Sequence, residues 1–169
     1  SVVTFMRSET NEAKLEGFTI TNGVSLWGAA IRCEYSSPTL TNLIIKDNDG
    51  GIYFYYYHSN GSLPIVNNLI VKDNVGFASI YFWDFQASGM YLNNIVLDGN
   101  NIGIFSFNSN VTINNMTIIN NSVAFGDNDN YSGQIITNIT NSILWNNNSL
   151  FTSYSTVGQY NITYSDIQG

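Results

Sequence analysis

The sequence LTNLIIKDN at residues 40–48 returns along the chain and decides the fold. Clear copies are VNNLIVKDN at residues 66–74 and INNMTIINN at residues 113–121, and looser copies begin at residues 15, 92, 139 and 162. Starts at 15, 40, 66, 92, 113, 139 and 162 give steps of 25, 26, 26, 21, 26 and 23 residues. A repeat of this length is typical of a solenoid, in which each repeat forms one coil that stacks on the next. The sequence therefore predicts an all-β, parallel β-helix of about seven coils.

Apolar residues at the fourth and sixth positions of the repeat alternate with variable residues, which is the spacing of a β-strand with one face inward. The fourth-position residues, in chain order, are Phe18, Leu43, Leu69, Ile95, Met116, Ser142 and Ser165. The change from large apolar residues to serine predicts a core that thins toward the C-terminus.

The third position of the repeat holds asparagine in five consecutive copies: Asn42, Asn68, Asn94, Asn115 and Asn141. Side-chain amides stacked about 4.8 Å apart can donate to one another from coil to coil. Asparagine also tolerates the left-handed backbone of a sharp corner. We therefore predict an asparagine ladder at this position, which would hide the Asn115 glycosylation sequence.

A second strand follows in each coil. The residues Ile31, Ile52, Ile80 and Ile104 align, and Cys33, Phe54 and Phe82 share their parity, so both sets should point inward, with Ser106 as the polar exception. The residues between them, or extending the same face, should point outward: Tyr53, Tyr55, Tyr57, Tyr81, Trp83, Phe85, Phe105 and Phe107. Flat rings are stacking platforms for sugars, and their hydroxyls can bond at the rim. We predict a glycan-binding face; a protein contact, or an aromatic ladder that only stabilises the solenoid or is covered by loops, remains open.

Composition limits the classes of partner. Only 10% of residues are charged and the formal net charge is −7, so a nucleic acid would be repelled. No apolar run approaches a membrane span, which predicts no membrane insertion. Because the chain begins at Ser1, we expect a mature or excised segment. The single cysteine, Cys33, is expected to be a small buried apolar residue, and the single histidine, His58, argues against a catalytic triad.

Three segments carry a family resemblance. LEGFTITNG at residues 15–23, GAAIRC at 28–33 with SSPTLTN at 36–42, and ITYSDIQG at 162–169 resemble sequences of secreted right-handed parallel β-helix repeat proteins of the pectate-lyase-like superfamily. The resemblance implies a right-handed β-helix and an extracellular or cell-surface location. Fold alone does not settle activity.

Enzymes of that superfamily cleave polysaccharides with clustered carboxylates. Here Asp47 and Asp73 share a column beside Lys46 and Lys72, and an exposed, charge-compensated ladder is the favoured interpretation. A lyase or hydrolase that depends on Asp47, Asp73 or Asp84 remains an alternative.

Two further candidates lie in polar loops. Asp127 and Asp129 have the oxygen density of a calcium site, although a polar turn is favoured. Among the Asn-x-Ser/Thr sequences, the loop residues Asn60 and Asn130 are the plausible glycosylation sites.

These observations predict one domain over residues 1–169, with a lead-in segment at residues 1–14. We expect a non-catalytic extracellular or cell-surface β-solenoid that binds a polysaccharide or other glycan, with no cofactor apart from a possible calcium ion. The alternatives are a polysaccharide lyase or glycoside hydrolase, and a structural subunit that self-associates laterally or end to end through uncapped solenoid ends.

Overall fold

The protein is a parallel β-solenoid of about six turns in the computed structural model, which describes residues 1–55, 63–84, 90–128, 135–154 and 158–168. These residues form strands and no helix. The strands, in chain order, are β1 (Val3–Phe5), β2 (Lys14–Glu16), β3 (Thr19–Ile20), β4 (Ile31–Glu34), β5 (Thr39–Lys46), β6 (Ile52–Tyr55), β7 (Ile65–Lys72), β8 (Ala78–Trp83), β9 (Met90–Asp98), β10 (Ile102–Phe107), β11 (Val111–Ile119), β12 (Val123–Asn128), β13 (Ile136–Thr140), β14 (Ile143–Trp145), β15 (Ser149–Ser153), β16 (Gln159–Thr163) and β17 (Asp166–Ile167).

The strands form two parallel sheets, and the chain passes through both in each turn. The aromatic sheet has the order β1-β4-β6-β8-β10-β12-β15. The repeat sheet has the order β2-β5-β7-β9-β11-β13-β16, with β3, β14 and β17 attached to it. Its register pairs the first residue of each repeat copy with the first residue of the next, as Leu40 with Val66 and Val66 with Leu92. The sequence period is therefore the length of one turn, and the seventh copy supplies β16 and β17, which cover the sixth.

Asparagines at the third repeat position bend the long strands of the repeat sheet. Asn42, Asn68 and Asn94 have φ angles of 54°, 56° and 55°, which lie in the left-handed region that asparagine tolerates better than most residues. The bend changes the alternation, so that Leu40 and Leu43 are both buried although they are three residues apart. The predicted corner role of these residues is confirmed.

The buried asparagine ladder lies at the ninth repeat position, where the sequence analysis did not expect it. Asn48, Asn74, Asn100 and Asn121 are 1–4% exposed. The backbone N–H of each donates to the side-chain oxygen of the next asparagine along the chain, at 3.0, 3.0, 2.9 and 3.0 Å, and the series ends on Asn147. The side-chain N–H groups also donate to backbone carbonyls of the preceding coil, such as Asn48 Nδ2 to Ile20 O at 3.1 Å. This ladder satisfies buried backbone groups at the corner.

The third-position asparagines form only a partial, exposed ladder. Asn68 Nδ2 donates to Asn42 Oδ1 at 3.1 Å, and Asn94 donates to Asn68. Asn115 instead donates to Asn93 at 3.3 Å, so the series breaks. Asn115 is exposed, and the prediction that the ladder hides it was wrong because the corner side chains point to solvent.

The interior is lined by the residues predicted to face inward. Ile31, Ile52, Ile80 and Ile104 are at most 1% exposed, and the rings of Phe54 and Phe82 stack with centroids 5.3 Å apart. Phe18 is an exception, because it is 59% exposed. It lies just before β3, which pairs only with β5 among the described strands, so no second described strand covers it.

The core thins toward the C-terminus, as the serines predicted. Ser142 is buried and its hydroxyl oxygen accepts a hydrogen bond of 3.2 Å from Met116 N. Ser165 does the same for Ser142 N, also at 3.2 Å. In β15 and β16 the inward residues are only half-buried.

Candidate functional site: an aromatic cleft on the outside of the solenoid

Two rows of aromatic residues lie on the outer face of the aromatic sheet, as the sequence predicted. Strand register aligns Tyr53, Tyr81 and Phe105 in the first row, and Tyr55, Trp83 and Phe107 in the second. Within the first row, ring centroids are 5.4 Å apart for Tyr53 and Tyr81 and 5.2 Å for Tyr81 and Phe105. Trp83 and Phe107 stack at 4.6 Å with an interplanar angle of 28°. Such contacts add to the free energy of stacking neighbouring coils.

The first row is covered, which is one of the alternatives that the sequence leaves open. Tyr53, Tyr81 and Phe105 are 7%, 8% and 3% exposed. Trp27, which precedes β4, lies 5.6 Å from the Tyr53 ring, and Phe77, which precedes β8, lies 4.7 Å from the Phe105 ring. Tyr53, Tyr81 and Phe105 therefore belong to a second hydrophobic cluster outside the main core, and their rings are not part of an open face.

The second row stays partly accessible. Tyr55, Trp83 and Phe107 are half-buried at the edge of the cluster. Tyr55 packs edge-on against Tyr35 at 5.2 Å, and the hydrogen bond between their hydroxyls, followed by burial, raises the pKa of Tyr55 to about 12. Burial likewise raises the pKa of Tyr81 well above its ordinary value. Both phenols are therefore neutral hydrogen-bonding groups at physiological pH.

A glycine opens a cleft where the first row ends. Gly126 takes the next place after Phe105 in the strand register, and a Cβ atom there would lie only 2.6 Å from Phe105 Cδ2. The Phe105 ring thus lies over Gly126, and its centroid is 5.8 Å from the centroid of the Tyr154 ring. The result is an open cleft of about 280 Å³. It is lined by Phe77, Tyr81, Trp83, Phe105, Phe107, Asn128 and Tyr154.

Asn128 is the polar side chain of this lining, and the sequence analysis missed it. It takes the place after Phe107 in the second row. Its side-chain oxygen is buried and has no hydrogen-bond partner among the described residues. Extending the aromatic columns by one more coil would have found Asn128. Tyr154 follows Asn128 in the same column, because Ser153 is in register with Asp127. Trp27 and Phe77 lie outside those columns, and nothing in the period marks them.

Three charged side chains near the aromatic rows, those of Arg32, Glu34 and Asp84, have hydrogen-bond partners within the protein. Arg32 and Glu34 are in register with Tyr53 and Tyr55, and Arg32 Nε donates to Glu34 Oε1 at 2.8 Å. Asp84 accepts a hydrogen bond of 2.7 Å from Asn108 Nδ2. The Arg32 side chain is thus already engaged by a carboxylate.

Two of the carboxylates considered for catalysis, Asp47 and Asp73, lie at the corner that follows the repeat sheet, whereas Asp84 follows β8 of the aromatic sheet. Lys46 Nζ lies 3.3 Å from Asp47, and Lys72 Nζ lies 3.6 Å from Asp73, with both pairs largely exposed. Asp47 and Asp73 border an open depression of about 430 Å³ that also contains Asp49. Within the described part of the chain, no three His, Cys, Asp or Glu residues are grouped to hold a metal ion. The geometry fits a charge-compensated exposed ladder.

Asp127 lies inside the solenoid and not on a loop surface. It is 1% exposed, and its Oδ2 atom accepts hydrogen bonds from the Tyr160 hydroxyl at 2.6 Å and from Gly158 N at 3.3 Å. Burial, followed by the bond to Asp127, raises the pKa of Tyr160. The calcium role of Asp127 stays a prediction, since its proposed companion Asp129 lies outside the described residues.

Other predicted residues have mixed outcomes. Cys33 is 1% exposed and burial raises its thiol pKa, so the prediction of a buried apolar residue is confirmed. Tyr57, Phe85, Asn60 and Asn130 lie outside the described residues.

No protein-family model matches the chain, and neither a curated protein nor a solved structure matches it. Among the described residues, no helix is long and apolar enough to cross a membrane. The fold and the site together define a parallel β-solenoid repeat protein with an aromatic cleft on its outer face.

Proposed function

We propose that the protein is a non-catalytic β-solenoid, at the cell surface or outside the cell, that binds a glycan in its aromatic cleft. The observation that carries the proposal is the cleft itself. It is lined by the stacked rings of Trp83 and Phe107 and by Asn128, whose side-chain oxygen has no hydrogen-bond partner among the described residues. Ligand sites combine apolar walls with a few placed polar groups. A sugar ring matches this combination because it has apolar faces and a polar rim.

The shape of the surface favours a small flat ligand over a protein partner. Trp27 and Phe77 cover the first aromatic row, which withdraws Tyr53, Tyr81 and Phe105 from contact with a protein partner. What remains accessible is a concave cleft of about 280 Å³, at the small end of the range for ligand pockets.

Charge favours a neutral glycan. The chain carries a formal net charge of −7, and Arg32 at the edge of the aromatic rows is paired with Glu34. An anionic polysaccharide would therefore be repelled at long range and would have to compete with Glu34 for Arg32. A neutral chain meets neither obstacle.

Binding to a panel of neutral and acidic polysaccharides tests the proposal. The change is Trp83→Ala, and the matched control is Trp145→Ala, because Trp145 is 48% exposed on the repeat sheet away from the cleft. We expect Trp83→Ala to lose at least about tenfold in affinity for a neutral glycan, the scale of an anchor residue. Trp145→Ala should bind as the wild type does. Failure of the wild type to bind any glycan, or equal binding by folded Trp83→Ala, would overturn the proposal.

A second candidate function, lateral self-association, is supported by the outer face of the repeat sheet. A row of mostly β-branched residues runs along it in register: Ile44, Ile70, Val96, Thr117 and Ile143. Three of them are 37–47% exposed. In the adjacent row Lys72 is in register with Asp98. In a dimer whose two-fold axis runs parallel to the strands, between the coil of Lys72 and the coil of Asp98, Lys72 of each copy would lie opposite Asp98 of the other.

Sedimentation equilibrium with charge-swap variants tests this candidate. Lys72→Glu should weaken the dimer because it places like charges opposite each other, and Lys72→Glu with Asp98→Lys should restore it. A wild type that stays monomeric at high concentration, or a double variant no better than the single one, would rule out this interface.

A further inference from the structure

The buried oxygen of Asn128 is unexplained by folding alone. Buried acceptors in proteins are nearly always paired, and an unpaired one destabilises the folded state. Asn128 Oδ1 is buried without a partner in the described part of the chain, yet its residue lines an open cleft. Asp127 Oδ1 is also unpaired, but Asp127 bonds to Tyr160 inside the solenoid. Asn128 is therefore an unpaired acceptor in the lining of the cleft, and a ligand reaches its buried oxygen when the side chain turns toward the cleft.

The surroundings of Asn128 select a ring that carries a hydroxyl group. Phe107 precedes Asn128 in the strand register, and Trp83 precedes Phe107. The two rings stack at 4.6 Å, which makes one continuous apolar wall beside the Asn128 oxygen. Tyr154, which is 61% exposed, also lines the cleft. A ligand seated here needs an apolar face for the wall and a hydroxyl donor for the oxygen.

We propose that Asn128 is the specificity-determining residue of the cleft and that it accepts a hydrogen bond from one hydroxyl of a single neutral pyranose unit. This inference rests on the proposed function and assigns the ligand class more narrowly. The volume of about 280 Å³ suits one ring and excludes a long stretch of chain. The amide is attached to the strand, and the aromatic wall holds the sugar ring. The position of the hydroxyl group on that ring therefore decides whether the hydrogen bond to the amide oxygen forms.

The inference predicts discrimination between sugars that differ at one hydroxyl. A site that pairs a buried polar group with a ligand hydroxyl penalises an analogue that lacks it, because the group is then left unpaired. Among soluble gluco-, manno- and galacto-configured oligosaccharides, one configuration should bind best. Its deoxy analogue at the contacted position should bind at least about tenfold more weakly.

Calorimetric titration of these oligosaccharides against three variants tests the role of Asn128. Asn128→Leu removes the acceptor while keeping the size, and should lose at least about tenfold in affinity. Asn128→Asp keeps an acceptor oxygen at the same place and should retain binding within about threefold. Asn138→Leu, an exposed asparagine on the repeat sheet, is the control and should bind as the wild type does.

The outcomes separate this inference from the function on which it rests. If Trp83→Ala loses binding while Asn128→Leu binds and discriminates as the wild type does, glycan binding stands and the role of Asn128 is overturned. If the wild type binds none of the oligosaccharides, both are overturned. Thermal unfolding of the ligand-free variants is a second readout. Asn128→Leu should be as stable as the wild type or more stable, since it removes an unpaired acceptor, and a large loss of stability would indicate a structural role instead.

Discussion

The side-chain oxygen of Asn74 accepts hydrogen bonds from both the backbone N–H and the side-chain amide of Asn48, each at 3.0 Å. The two residues belong to adjacent turns and are each 2% exposed. One oxygen therefore satisfies two donors of the neighbouring coil in a place that water does not reach. The side-chain oxygen of Asn100 accepts the same two hydrogen bonds from Asn74. These buried asparagines therefore join successive turns in a continuous series.

Removing one member of this series should strongly destabilise the protein. Asn74→Ala leaves the Asn48 N–H without its acceptor, and we expect the free energy of unfolding to fall by about 2–4 kcal/mol. Asn67→Ala is the control in the same strand, because Asn67 is half-buried and bonds only to a side chain, Asn93. It should cost less than about 1 kcal/mol. Urea unfolding of both variants measures the difference, and equal losses would contradict the role of the ladder.

The sequence predicted an asparagine ladder at the third repeat position, where the structure has only a partial, exposed one, and did not predict the buried ladder at the ninth position. Both Asn68 and Asn74 belong to columns rich in asparagine, and a single strand period cannot tell which column faces inward. The deciding facts are two left-handed bends, at Asn68 with φ 56° and at Asp73 with φ 55°. Each reverses the alternation of the strand, and the second turns Asn74 inward. A corner of this kind is visible in coordinates, whereas the sequence shows only a residue that tolerates it.

The bend at Asn68 yields a prediction about backbone conformation. A β-branched residue is strained at positive φ, so Asn68→Val should cost about 1–2 kcal/mol in the free energy of unfolding. Asn68→Gly should stay within about 1 kcal/mol of the wild type, since glycine accepts this conformation. Asn67→Val, one residue earlier in the same strand, is the control, and valine suits a strand there. Equal chemical-denaturation midpoints for the two valine variants would contradict the assigned bend.

Gly126 is predicted to be required for the shape of the cleft. A Cβ at this residue would lie 2.6 Å from Phe105 Cδ2, so Gly126→Ala must displace the ring and should cost about 1–3 kcal/mol of stability. Phe105→Leu in the same chain makes room, and the two changes together should cost less than the sum of the single ones. Thermal unfolding of the single and double variants measures this coupling. Strict additivity would show that the ring does not lie over Gly126.

Stability should fall at alkaline pH because of buried tyrosines. Burial and the hydrogen bond to Asp127 raise the folded-state pKa of Tyr160 above its ordinary value of about 10. The unfolded chain therefore releases the proton first. The stabilisation is complete below about pH 10 and is lost as the pH rises above it. Tyr160→Phe should flatten the decline in the free energy of unfolding between about pH 10 and about pH 12. Tyr164→Phe, at a residue that is 88% exposed, should not, and equal slopes for both variants would contradict this account.

The sequence identified the aromatic rows and their direction, but not their accessibility. Strand period alone places Tyr81 and Trp83 on the outer face. Whether that face is open depends on Trp27 and Phe77, which lie in connections between strands. Connections follow no period, so the covering of the first row, and hence the cleft, could not be read from the repeat.

The most direct test of glycan binding in the cleft is an NMR titration of the indole N–H signals. The chain has three tryptophans, and single substitutions assign the signals of Trp27, Trp83 and Trp145. With a neutral oligosaccharide that binds, we expect the Trp83 signal to shift in proportion to saturation, while the Trp145 signal, from the other sheet, stays in place. Saturation without a shift of the Trp83 signal, or no binding by any neutral oligosaccharide, would contradict the proposed function.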